Sequence, residues 1–344
     1  MSDRKKLFPA EPEIKMSTPC ADLERDIAKL TGEKEFRIFS IFPADNPRIA
    51  ILIRDDFVLR LEQADSEPES KVFFAGQTTE LGTRLKDKAE DHKPIGERFE
   101  VIGLEESGWQ KGRAGMLYRD LVQDRAGGRL IASHVKVSEA GETPDYVHFH
   151  DIDFQIIYCI AGTCRLVYED QGDVLEFRAG DCVLQPPGIR HRVLDCSEGF
   201  EVLELTSPAE HITYADHELQ LPNSHIDVER KYRDQKFHFH RARASESESP
   251  AEIQISDLGF ATPSAERVSA ERFTLPATPE STIRRLPDPA IFVYLTDGEV
   301  DAAYGDNSAA RIKTGSALFC SGEQELTLQA TEDPASGILF QLAL

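Results

Sequence analysis

Three histidines and one glutamine, His148, His150, Gln155 and His191, have the types and spacing of ligands to a single metal ion. Residues two apart on a strand face the same way, so His148 and His150 can both aim into one interior. Their imidazole nitrogens suit Fe, Mn, Ni, Cu or Zn. Gln155 follows the short connection Asp151-Ile152-Asp153, and His191 follows Pro186-Pro187-Gly188, a turn able to redirect the chain inward. Four such donors leave one or two coordination positions for substrate, water or dioxygen. Tyr158, Arg165 and Arg190 are the candidate catalytic residues, with Tyr168 and Arg192 behind them. Arginine clamps anionic groups in bidentate fashion, and tyrosine exchanges a proton near an enolate. Core packing competes for the tyrosines and surface ion pairing for the arginines.

From Gly141 to Asp195 the chain reads G-x6-HxH-x4-Q-x6-G, then G-x5-P-x-G-x2-H-x3-D. This two-part pattern resembles the paired motifs of the cupin superfamily. The resemblance implies a jelly-roll β-barrel around a mononuclear metal held by His148, His150, Gln155 and His191. Two positions depart from the superfamily's usual pattern: Gln155 stands in place of a carboxylate ligand, and Asp195 in place of an asparagine. A neutral amide leaves the ion its full charge and cannot serve as a general base. Any base must therefore come from elsewhere in the chain.

The elements that would carry these residues are short apolar or alternating runs at 117–123, 129–137, 146–150, 154–160, 164–168, 174–177, 182–185, 191–194 and 201–205. Turn residues separate them at regular intervals, as in an antiparallel sandwich or barrel. The rhythm resumes beyond the polar segment 241–250. There, 292–298 can be laid on 156–162, and 313–318 on 178–183, which marks an internal repeat. Carrying the ligand intervals across puts Arg284, Leu286, Ile291 and Glu325 at the four positions, and three of these cannot bind a metal. The second H-x-H, His238-Phe239-His240, lacks ligand partners at the right intervals and reads as an ordinary alternating strand.

Upstream, Thr18-Pro19 predicts a helix start, with Leu23, Ile27 and Leu30 at helical spacing. Strands at 36–39, 49–53 and 57–61 follow, a helix and meander that faintly resemble half of a glyoxalase-type βαβββ module. Residues 63–98 read as a charged surface excursion or linker, and the glycine-dense segment 107–115 as a boundary. The expected fold is mainly β: two jelly-roll cupin barrels preceded by a small α+β region. Residues 1–110 form that region, 111–225 the metal-binding barrel and 226–344 a degenerate barrel without metal ligands.

With 344 residues and 40% hydrophobic content, the chain can bury substantial cores. A net charge of −22 disfavours nucleic acid and anionic membrane as partners. A charged start without an apolar leader, and no run long enough to span a bilayer, predict a cytoplasmic protein. Six cysteines without a C-x-x-C pair are expected as buried free thiols. The leading functional expectation is a mononuclear non-haem dioxygenase, with Fe the foremost metal, acting on a small anionic aromatic or diketo substrate. Redox-neutral Lewis-acid lyase or isomerase chemistry, as in sugar-acid ring opening, is the alternative. A non-catalytic binding or storage protein is the third reading, and homo-oligomer formation stays open.

Overall fold

A strand with apolar residues on both faces must be covered on both, and Phe154–Ala161 is such a strand. Phe154, Ile156 and Tyr158 point one way, into a core shared with the C-terminal half, while Ile157 and Cys159 point the other way. The computed structural model describes residues 7–64, 73–74, 95–104, 108–112, 116–242, 251–306 and 308–344. In it the strand sits within a seven-stranded sheet. Its order is His238–His240, Cys182–Gln185, Phe154–Ala161, Glu201–Ser207, Ile131–Lys136, Leu117–Asp120 and Gln110–Lys111. A second sheet packs against it, running Leu175–Arg178, Thr163–Tyr168, His191–Cys196, His148–His150 and Thr213–Ala215.

The C-terminal half repeats this order. Ala317–Ser321, Ala290–Asp297, Ala335–Leu342 and Val268–Leu275 are neighbours in one sheet, with Arg98–Ile102 and Gln254–Asp257 on its edges. Thr282–Arg285, Leu326–Ala330, Glu299–Tyr304 and Ser308–Lys313 form the other. Between them Ile283, Val293, Leu295, Val300, Leu318 and Leu328 fill the interior with hydrocarbon. Ile291, at the position matching Gln155, is part of that packing. Arg284 and Glu325 form an exposed ion pair at 2.9 Å.

The expected barrels are not closed: each half is a pair of facing sheets, and no sheet hydrogen-bonds back onto itself. The reason is local in the N-terminal half. His148–His150 is three residues long and passes its outer edge to Thr213–Ala215, which pairs with Arg37–Phe42. The sheet therefore continues outward through Ile49–Arg54, Phe57–Gln63 and Met16–Cys20 instead of curling onto its partner. Side-chain packing holds the two sheets together, as in other jelly rolls.

Strand pairing also crosses the expected boundaries near 110 and 226. Arg98–Ile102 joins Ala317–Ser321, and His238–His240 joins Cys182–Gln185. The predicted helix start at Thr18-Pro19 is corrected too. Those residues lie in Met16–Cys20, which runs parallel to Phe57–Gln63. The helix is Leu23–Glu33, because the Asp22 side chain accepts from the Arg25 amide and caps it there. Most of the predicted excursion over 63–98, and residues 107 and 113–115 of the glycine-dense segment, lie outside the described residues. All six cysteines are free and buried. Among the described residues no helix is long and apolar enough to cross a membrane.

Phe154, Ile156 and Leu205 pack with Phe292, Phe319 and Phe340 in one core, which ties the halves into one unfolding unit. Phe340→Ala should cost about 3–5 kcal/mol and lower the urea midpoint of a single transition. Two transitions, with only the later strands affected, would show that the shared core does not couple the halves.

Candidate metal centre

Register brings the histidines together. His148 and His191 are direct antiparallel partners, and His150 lies two residues along the same strand face. Their ring centroids are 4.3 Å (148 to 191), 5.1 Å (148 to 150) and 5.2 Å (150 to 191) apart. One nitrogen from each ring falls within 4.8 Å of the others, and all three side chains are buried. Among the described residues this is the one such cluster.

The outer nitrogens of the rings are engaged. His148 Nδ1 donates to the Tyr146 carbonyl at 2.8 Å, and His191 Nδ1 to the Ile189 carbonyl at 3.1 Å. A carbonyl only accepts, so the proton sits on Nδ1 and the Nε2 lone pair turns to the shared centre. His150 Nδ1 meets Thr213 Oγ1 at 2.8 Å. Two of these partners are backbone carbonyls two residues earlier in sequence, so the local chain path itself orients the rings.

Gln155 approaches from the facing sheet. Its Nε2 donates to Glu204 Oε1 at 2.9 Å, and because a carboxylate only accepts, this contact fixes the amide orientation. The Gln155 carbonyl oxygen is left buried with no protein partner. Such an orphan is costly unless something coordinates or donates to it. Three inward imidazoles and one orphaned amide oxygen fit a divalent transition metal ion.

The site opens into a cavity of about 140 Å³ between the two sheets. Its walls are largely apolar, with Ile157, Leu166, Val193 and Val202 among them. Sequence reasoning missed four polar residues in this wall: Asp45, Gln185, Glu204 and His211. Two of them carried a signal. Gln185 and Glu204 occupy inward positions of alternating strands, in phase with Val183 and Val202, where an apolar residue is the default. Gln185 lies opposite Gln155 in register and bonds Tyr168 Oη through its Nε2 at 2.8 Å. Asp45 and His211 come from loops remote in sequence and carried none. The His211 ring stands edge-on to His150 at 5.3 Å, and burial pushes its pKa below the ordinary imidazole value.

The predicted catalytic residues are elsewhere. Tyr158 is on the opposite face of its strand from Gln155, in the core between the halves, where burial pushes its hydroxyl up to about 12. Arg165 is exposed and pairs across the strands with Asp195, its Nε 2.8 Å from Oδ2; this hydrogen bond holds the Asp195 carboxyl below the usual carboxylate range. Arg190 lies outside the cavity, over the Phe149 ring at 3.9 Å and bonded to Asp216 at 3.2 Å. Arg192 does not line the cavity, while Tyr168 stacks on His191 at 5.7 Å. Among the described residues no lysine or arginine lines it. His238 and His240 pair with Leu184 and Cys182 on the sheet face turned from the site, and His238 Nε2 donates to the Leu258 carbonyl.

Residues 134–205 match the Cupin domain family. No curated protein matches the chain in sequence. Among solved structures, oxalate decarboxylase from Bacillus subtilis at pH 4.6 aligns with 12% identity and a TM-score of 0.52, covering 81% of this chain and 85% of that one. The Lactobacillus farciminis oxalate decarboxylase formate complex aligns with 15% identity and a TM-score of 0.50, covering 71% and 86%. Protein Ylba from E. coli aligns with 11% identity and a TM-score of 0.51, covering 75% and 96%. Identity this low speaks to fold alone. The chain has a cupin-superfamily fold with a three-histidine metal-binding cluster.

His148→Ala and His191→Ala should each lose most bound metal by elemental analysis, while His240→Ala should retain it. Equal metal content in all three would place the ion elsewhere.

Proposed function

We propose that this chain is a metal-dependent enzyme of redox-neutral chemistry, a lyase or isomerase acting on a small oxygenated substrate. One observation carries the reading: a carboxylate that is not a ligand stands in the cavity wall, held by the ligand set itself. Gln155 Nε2 and Thr206 Oγ1 both meet Glu204 Oε1, at 2.9 and 3.1 Å, which fixes the carboxylate plane. A metal bound by His148, His150, Gln155 and His191 would supply Lewis acidity to a substrate oxygen. Glu204 then takes a proton from the carbon beside that oxygen and returns it to the same or the neighbouring carbon. The neutral Gln155 keeps charge from being spent within the ligand set, and the apolar wall excludes water from the proton transfer. The similar fold of proteins named oxalate decarboxylase supports a lyase reading.

Dioxygenase chemistry with iron is the second reading, favoured by the apolar wall, which suits an aromatic body and dioxygen. The two readings separate on metal and oxygen. Zinc-loaded protein in D2O should place deuterium into small hydroxy-carbonyl substrates without consuming oxygen, followed by NMR and an oxygen electrode. Glu204→Gln should lower that exchange by roughly 10²–10⁴ while metal content stays unchanged. Turnover confined to iron-loaded protein and matched by oxygen uptake would replace this reading with the oxidative one.

A further inference from the structure

We propose that the cavity recognises an uncharged α-hydroxy-carbonyl compound with a small apolar body, through its hydroxyl hydrogens, and discriminates against carboxylates. The inference rests on the metal-dependent reading and narrows it to a substrate class, departing from the anionic substrate expected from sequence.

Among the described residues, the buried polar atoms of the wall that have no partner are all acceptors. His211 Nδ1 donates to the Pro208 carbonyl at 3.1 Å, so its Nε2 carries a lone pair, and that nitrogen is buried without a protein partner. Asp45 Oδ2 is held by Arg125 at 2.5 Å, and its Oδ1 is buried and unpartnered. Gln185 gives one of its two amide hydrogens to Tyr168, and its Oε1 is buried and unpartnered. These acceptors flank the ligand cluster. His211 sits against His150 and within electrostatic reach of Asp45, while Tyr168, the partner of Gln185, stacks on His191.

Unmet buried acceptors are satisfied by a ligand that donates. A hydroxyl does so; a carboxylate brings only more acceptors. The charge of the protein wall, apart from the metal's own, points the same way, because Asp45 and Glu204 place two carboxylates in it. Arg125 reaches Asp45 from outside the lining, so among the described residues no cationic side chain receives an anion. A volume of about 140 Å³ is close to the roughly 150 Å³ that holds a benzene ring, which limits the body to a short chain or one ring.

Hydroxyacetone and pyruvate share a methyl ketone and differ only in carrying a hydroxymethyl or a carboxylate, so they test the point directly. Titration calorimetry on metal-loaded protein should show hydroxyacetone binding about tenfold more tightly, or better. The same order should hold in metal-free protein, where the wall acts alone. His211→Phe should weaken hydroxyacetone by about tenfold and leave metal content and pyruvate affinity unchanged. Asp45→Asn, which supplies an N–H donor, should narrow the ratio in favour of pyruvate. Pyruvate binding as tightly as hydroxyacetone in both forms, no binding of hydroxyacetone, or an unchanged ratio in both variants overturns the proposal. Loss of the metal-dependent reading would appear instead as protein that holds no metal or shows no exchange, with the metal-free binding order still readable.

Discussion

A single sheet buried on both faces is the constraint on which this molecule depends. Along Phe154–Ala161 and its neighbours, one set of side chains lines the metal cavity and the other enters the core between the halves. Neither face tolerates water, so the sheet needs a partner on each side. The inner partner is the sheet that carries His148, His150 and His191. The outer partner is the C-terminal copy, whose Phe292, Phe319 and Phe340 cover Phe154 and Ile156. This accounts for keeping a second jelly roll whose own interior is packed with hydrocarbon: it seals the back of the sheet that presents Gln155.

The N-terminal segment is tied to the same requirement. His148–His150 is too short to end a sheet without leaving backbone groups unpaired, and Thr213–Ala215 with Arg37–Phe42 and the strands beyond continue its hydrogen bonding. The loop after Arg37–Phe42 then delivers Asp45 to the cavity wall. A region with no visible chemistry in its sequence thus both extends the metal sheet and contributes to the site.

Polarity within the cavity is divided. Backbone carbonyls and Thr213 orient the imidazoles, and Glu204 orients Gln155, so each of these four side chains is held by a group outside the cluster. The rest of the wall is hydrocarbon interrupted by acceptors. The arginines that sequence reasoning assigned to substrate are committed to ion pairs and ring contacts beyond the cavity, Arg165 with Asp195 and Arg190 with Asp216 and Phe149.

The clustering of His148, His150 and His191, the strand rhythm and the repeat of strands were legible in the sequence, because period-two alternation, glycine turns and H-x-H spacing are local properties that survive without coordinates. Its limits are equally physical. Tyr158 differs from Gln155 by three positions, an odd step that places it on the other face of the strand, and its chemistry alone pointed to the site. Whether two sheets close into a barrel depends on which strand takes the outer edge of His148–His150, a long-range pairing to Thr213–Ala215 that no local pattern encodes. Asp45 and His211 reach one cavity from loops far apart in the chain, and only the tertiary packing decided that both line it, His211 against His150.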